Sequence, residues 1–144
     1  MKISQKGIDL IKKWESFKAE AYLCPAGVWT QGYGHTRTVN KYSQIITERT
    51  AEEFLRVDLL IIEGGLSPLL KGITLSQQQY DAIVSFCFNL GVGAFQRSTA
   101  YNEILIDPDS KRVADSWIQY RNAGGRFLRG LLLRRLDELT MYYG

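Results

Sequence analysis

The chain has 144 residues, 45% of them hydrophobic and 23% charged, with a net charge of +3, which is the size and balance of one globular domain spanning residues 1–144. No run of Lys and Arg forms the basic stripe of a nucleic-acid binder, and no apolar run approaches the roughly 18 residues of a membrane span. Two cysteines and one histidine exclude a disulfide framework and are too few to ligate a structural metal.

The N-terminal stretch lacks the apolar centre of a signal peptide, so synthesis in the cytoplasm is expected. Residues 4–18 place Ile8, Ile11 and Trp14 three apart, with Leu10 and Phe17 flanking the same face and Ser4 available as N-cap. This predicts an amphipathic helix with Glu15 close to its C-terminal end. A carboxylate there opposes the helix dipole, so helix stability does not explain it.

From residue 20 to 46 the strand formers Tyr22, Val28, Trp29, Thr30, Tyr33, Thr36, Thr38, Val39 and Tyr42 are punctuated by Pro25, Gly27, Gly32 and Gly34. They predict a small antiparallel sheet or meander, too short to bury a core of its own. Thr50–Glu53 fits a capping box opening a helix to about Ile62, before Gly64 and Gly65. Ser76–Gln79 fits a second box, opening "YDAIVSFCFNLG", a central helix closed by Gly91 and Gly93. A third helix is expected over "FQRSTAYNEILI", a turn at Asp107–Ser110, a short helix in "KRVADSWIQY", a loop at "NAGG" and a terminal helix in "GLLLRRLDELTMYY". The prediction is an α+β fold, mainly helical, with one small sheet near the N-terminus: helix and sheet to about residue 48, helices from about 49 onward.

Glu15 is followed by eight residues, Cys24, five more residues and Thr30. A carboxylic acid partly withdrawn from water beside an aromatic ring keeps its proton longer and can deliver it to a leaving oxygen. A second polar group facing it can orient or deprotonate water, which is the division of labour in glycoside hydrolysis. Spacing alone favours the plainer reading, a surface Glu and a small buried Cys beside a turn.

The stretch "WESFKAEAYLCPAGVWTQGYGHT" closely resembles the catalytic hairpin of the phage-type lysozymes, glycoside hydrolase family 24. "LSQQQYDAIVSFCFNLGVGAF" resembles that family's central helix and glycine-rich exit. "WIQYRNAGGRFLRGLLLRRLDE" resembles its tryptophan, Ala-Gly-Gly and paired-arginine elements, in the same order, so the resemblance covers essentially the whole chain.

The resemblance implies that Glu15 is the general acid. Cys24 stands where most members carry a catalytic aspartate, a recurrent variant, and Thr30 positions the attacking water or the sugar face it approaches. The family inverts configuration, which implies activated water. A thiol is mostly protonated at neutral pH unless its surroundings shift it, so Cys24 can act as thiolate base, electrostatic stabiliser or nucleophile, or as a thiol that only orients water. His35 is implied to pair with Asp58 as a structural pin. One of Arg134 and Arg135 is expected to pair with Glu15 or a buried carboxylate and the other to stay in solvent. Phe88 and Asn89 are candidate sugar contacts, with Tyr33, Tyr120 and Asn122 as further candidates. Gln31 departs from the branched apolar residue usual there and is expected to face a cleft or solvent; Cys87 is expected in the core.

The function implied is a muramidase, cutting the β-1,4 bond between N-acetylmuramic acid and N-acetylglucosamine in bacterial peptidoglycan. It would be made in the host cytoplasm and reach the wall late in phage infection, as a monomer without cofactor, metal, nucleic-acid partner or stable membrane insertion. A lytic transglycosylase also needs a glutamate but forms an anhydro sugar, and a catalytically silent wall-binding protein could share the fold. Clearing of permeabilised cells with new reducing ends separates the three.

Overall fold

The computed structural model describes residues 1–144. Its elements follow in the order α1 (Gln5–Glu15), β1 (Lys18–Leu23), β2 (Trp29–Gly32), α2 (Glu48–Leu70), α3 (Gln77–Leu90), α4 (Val92–Gln96), α5 (Thr99–Ile106), α6 (Arg112–Trp117), β3 (Asn122–Ala123), β4 (Arg126–Phe127) and α7 (Arg129–Tyr142). This is the mainly helical α+β architecture expected, although the small sheet has a counterpart in a second two-stranded hairpin. The chain forms two compact units, Ile11–Ile61 and Met1–Leu10 with Ile62–Gly144.

In the unit Ile11–Ile61, β1 and β2 pair antiparallel with Tyr22 opposite Thr30 and Leu23 opposite Trp29, and the register shifts between Lys18 and Tyr22. A single bridge between Gln31 and His35 extends the pairing. Beyond it the expected meander does not form: residues 36–47 hold turns but no strand, and Thr36, Thr38 and Tyr42 lie in solvent. With no partner strand left to offer backbone hydrogen bonds, strand propensity alone cannot make a sheet. The core is Ile11, Tyr33, Ala51, Leu55 and Leu59, all at most 4% exposed.

Gln31 is inside this unit, not in solvent. Its Nε2 donates to the carbonyls of Ala19 (2.9 Å) and Gln44 (2.7 Å), stitching β1 to the loop that precedes α2. An apolar residue there would leave those carbonyls without this donor, so the polar side chain is satisfied where it is buried. Gly32 has φ +66°, and a Cβ at that position would lie 3.1 Å from Ala51 Cβ. Gly32→Ala should lower stability by about 1–3 kcal/mol through both effects. A thermal melt within experimental error of the parent would show that β2 and α2 can separate at no cost.

Helix α2 corrects the sequence reading at both ends. Its N-terminal cap is Thr47, whose Oγ1 accepts from the Thr50 amide (3.2 Å), rather than Thr50 itself. It continues through Gly64 and Gly65 and past Pro68 to Leu70. Gly65 sits where a Cβ would come within 3.3 Å of Val92, and Leu66 beside it is fully buried, so tertiary contact keeps the glycine pair helical.

In the other unit, α3 is buried at every residue from Gln79 to Cys87, as a helix apolar on most sides must be. The capping box is present: Ser76 Oγ accepts from the Gln79 amide (3.1 Å) and Gln79 Oε1 from the Ser76 amide (2.9 Å). Gly91 ends the helix, but Gly93 lies inside α4, and the expected third helix breaks at Ser98, whose hydroxyl caps α5. Phe86 meets Phe95, Trp117 and Tyr120 at centroid separations of 6.0, 4.9 and 5.1 Å, fixing α3 against α4 and α6. "NAGG" is not a loop. Asn122 pairs with Phe127 and Ala123 with Arg126 around Gly124 and Gly125, which both have positive φ, the two-residue turn that matches strand twist. No helix is long and apolar enough to cross a membrane.

Candidate active site

Glu15 is the last residue of α1, and Ser16 after it is the one non-glycine residue with positive φ (57°). Its amide donates to the Lys12 carbonyl (2.9 Å), closing the helix and turning the chain sharply into β1. Such a conformation costs a non-glycine residue free energy, and it falls directly beside the candidate acid.

At the far end of β1 the chain reverses over Pro25, Ala26 and Gly27. The Cys24 amide donates to the Val28 carbonyl (3.0 Å) and the Gly27 amide to the Cys24 carbonyl (2.8 Å), the geometry of a three-residue hairpin connection. Cys24 is thereby held at the mouth of the turn, half-exposed, its thiol free. The Val28 amide is the main influence drawing its pKa below the ordinary thiol value. Partial burial opposes this, while the Ala26 amide and the Thr30 hydroxyl assist it. Thr30 is buried on β2, and its Oγ1 also lies 3.0 Å from the Val28 carbonyl. One hydroxyl proton cannot serve two acceptors, so ionising the thiol draws it from the carbonyl to the sulfur.

Sequence reasoning treated Tyr22 only as a strand residue. It stands opposite Thr30 in the hairpin. Burial raises its phenol pKa first, and the charges of Glu15 and Cys24 raise it further. Tyr22 therefore shares one electrostatic neighbourhood with both groups and stays a neutral hydrogen-bonding phenol. Period-two alternation was the available signal, because Tyr22 and Cys24 stand two apart on the same side of the chain.

The supporting residues divide. His35 Nδ1 lies 2.7 Å from Asp58 Oδ2 and its Nε2 lies 2.6 Å from Thr38 Oγ1, while the ring stacks on Phe54 at 4.4 Å. Arg37 donates to the other Asp58 oxygen (3.0 Å), so this carboxylate pins the segment after the hairpin to α2. Tyr33 is no open sugar contact: it is 4% exposed, its hydroxyl donates to Glu48 (2.7 Å), and burial followed by that carboxylate pushes its pKa up to about 12.

In the other unit neither Arg134 nor Arg135 reaches solvent; they are 4% and 0% exposed and both pair with Glu138. Arg135 Nε donates to Glu138 Oε1 (2.7 Å), and one of its terminal nitrogens donates to Asn89 Oδ1 (2.8 Å). Because guanidinium only donates, the Asn89 oxygen must face Arg135, which leaves the amide NH₂ as a donor for another partner. Phe88 and Asn89 are half-buried at the end of α3, Tyr120 is half-buried against Phe86, and Asn122 is exposed in β3. Cys87 is in the core, where burial raises its thiol pKa. Glu15, Cys24, Thr30 and Tyr22 thus gather on one short hairpin and the helix end that feeds it.

Comparison with known proteins gives this arrangement its context. The family model described as phage lysozyme matches residues 12–138. An endolysin of Acyrthosiphon pisum secondary endosymbiont phage 1 is 40% identical over 145 residues, covering 99% of this chain and 98% of that protein. An endolysin of Bacillus phage B103 is 36% identical over 144 residues, and here the chain spans 54% of the relative's length. Among solved structures, the muramidase domain of SpmX from Asticaccaulis excentricus superposes with a TM-score of 0.90 at 33% identity, covering 99% of this chain and 98% of that one. A family model spanning most of the chain and a relative matched almost end to end make the assignment: this chain belongs to the phage lysozyme family, a family of glycoside hydrolases.

Proposed function

We propose that this lysozyme hydrolyses the β-1,4 bond between N-acetylmuramic acid and N-acetylglucosamine in bacterial peptidoglycan, with Glu15 as general acid and the Cys24 thiolate as general base. The observation that carries the reading is the hairpin geometry that sets the Cys24 thiol beside the Val28 amide and the Thr30 hydroxyl, both of which draw its pKa below the ordinary thiol value. Water attacks the anomeric carbon, and the glycosidic C–O electron pair passes to the leaving oxygen, which takes the Glu15 proton. The second proton of the water passes to the Cys24 sulfur. Thr30 orients the water, and attack from the face opposite the leaving group inverts the configuration. The Asn89 NH₂, left over from the bond its oxygen makes to Arg135, is a donor suited to an acceptor such as an acetamido carbonyl. The protein works as a monomer, is made in the host cytoplasm and acts on the wall at lysis, without nucleic acid or cofactor.

The test is the pH profile of reducing-end release from purified wall. Activity should rise with pH through a value below that of an ordinary thiol, following the thiolate. In Cys24→Asp the rising limb should move to the carboxylate range, about pH 4. Cys24→Ser, with no titrating group, should lose roughly 10²–10⁴-fold in rate. A limb that stays in place in Cys24→Asp would remove the base role, and anhydro ends in the products would make the enzyme a transglycosylase.

A further inference from the structure

We propose that a cavity of about 680 Å³ at the C-terminal end of α2 binds a primary ammonium ion carrying an apolar chain. The cavity lies wholly within the unit Met1–Leu10 with Ile62–Gly144, and none of the groups assigned to the glycosidic chemistry lines it. Its volume falls in the range of small-molecule sites.

Tyr80, from α3, is the first sign that the cavity serves a ligand rather than the fold. It is 5% exposed and lines the cavity, and its hydroxyl bonds to no other residue. A phenol buried without a partner gives up hydrogen bonds to water and gains none in return. Phenylalanine would pack as well without that cost. Burial, followed by the charge of Glu63, pushes the Tyr80 pKa up to about 12, so the group stays a neutral donor and acceptor.

Two more acceptors line the same cavity, both from α2. Glu63 Oε1 accepts from the Ile3 amide (2.7 Å), which leaves Oε2 uncommitted. Pro68 has no N–H, so the Gly64 carbonyl four residues earlier lacks its helical donor. A primary ammonium has three N–H groups to match these three oxygens. The end of α2 adds the negative pole of the helix dipole, with no basic residue in its last turn. Ile73 and Leu75 supply an apolar side on which a chain of several carbons can lie. Lys71 is exposed and has no carboxylate partner, so it opposes a cation only weakly, through solvent. An anion would meet the Glu63 carboxylate, and a metal ion would find one carboxylate instead of a ligand set.

Titration of the full chain with n-hexylammonium chloride, followed by amide NMR shifts, tests the site. Shifts should cluster at residues 63–80 and saturate with a Kd of about 1 mM or tighter. n-Hexanol, with the same chain and no charge, should bind roughly fivefold more weakly. Glu63→Gln keeps an acceptor for the Ile3 amide and loses the charge, and should weaken amine binding roughly tenfold. Tyr80→Phe should weaken it roughly threefold and leave the melting temperature equal or higher, because no bond within the protein is lost. Lys71→Gln should tighten it about twofold at low salt, by removing a like charge. Equal binding of amine and alcohol, shifts that gather elsewhere, or weaker amine binding by Lys71→Gln would each overturn the proposal. So would a Tyr80→Phe protein that melts several degrees lower, since the hydroxyl would then serve the fold. No shift at about 20 mM amine overturns it outright.

Discussion

Replacing Glu15 by Gln should lower wall hydrolysis by roughly 10²–10⁴-fold while leaving the protein folded. The two halves of that expectation rest on separate features. Glu15 closes α1, where a negative charge faces the negative end of the helix dipole, so its removal costs the helix nothing and can relieve it slightly. The turn that follows is closed through the Ser16 amide and the Lys12 carbonyl, so the backbone that places residue 15 does not depend on its carboxylate. The Gln side chain keeps the size and loses only the transferable proton. Without it the leaving sugar departs as an alkoxide, and the loss appears in kcat rather than in KM. A leaving group that needs no proton, such as an activated aryl glycoside of the same sugar, should restore much of the rate. Equal loss on both substrates would show that Glu15 binds rather than protonates. Retained activity on wall would remove it from the chemistry altogether.

Much of this site was open to sequence reasoning because its parts are local. Glu15, Cys24 and Thr30 fall within one helix end and one hairpin, and the hairpin carries its own turn chemistry in Pro25 and Gly27. The capping box at Ser76–Gln79 was legible for the same reason: all its partners lie within four residues. What escaped was decided by distant partners. Gly64 and Gly65 read as a helix stop, and only Val92 and the burial of Leu66 explain why α2 runs through them. Gln31 is polar and buried because the carbonyls of Ala19 and Gln44, more than ten residues away, converge on its amide. One of Arg134 and Arg135 read as a solvent arginine because nothing local shows that Glu138, which pairs with both, is fully buried. The Gly124–Gly125 turn is the exception: its hairpin signal was local, and the strands beside it are too short for alternation to reveal.

The buried carboxylate of that arginine pair carries the second large effect. Glu138→Ala should destabilise the unit Met1–Leu10 with Ile62–Gly144 by about 3–5 kcal/mol, the usual cost of removing one partner of a buried ion pair. Glu138 has no solvent exposure and gathers four donors: Arg135 Nε (2.7 Å), an Arg135 terminal nitrogen (3.1 Å), Trp117 Nε1 (3.1 Å) and Ser85 Oγ (2.6 Å). Arg134 Nε adds a charge contact at 3.5 Å. Burial works against the charge of Arg135, and Glu138 is what opposes that effect. Alanine would leave a guanidinium with no water and no counter-charge, beside an indole N–H and a hydroxyl that lose their acceptor. A protein of this size typically has 5–15 kcal/mol of stability in all, so the melting temperature should fall by roughly 10 °C or more. Glu138→Gln, which keeps the shape and one acceptor oxygen, should cost less than alanine, because the indole or the hydroxyl can remain bonded. Urea unfolding of the two variants gives the ordering, and a loss below about 1 kcal/mol in Glu138→Ala would mean that water reaches the arginines. The same substitution should be felt in binding if the proposed role of Asn89 holds, because Arg135 is the group that holds the Asn89 oxygen and leaves its NH₂ as the donor. Freed from Glu138, the guanidinium no longer has a fixed position from which to hold that amide. Sugar affinity should therefore fall in Glu138→Gln even at a temperature where the variant is fully folded.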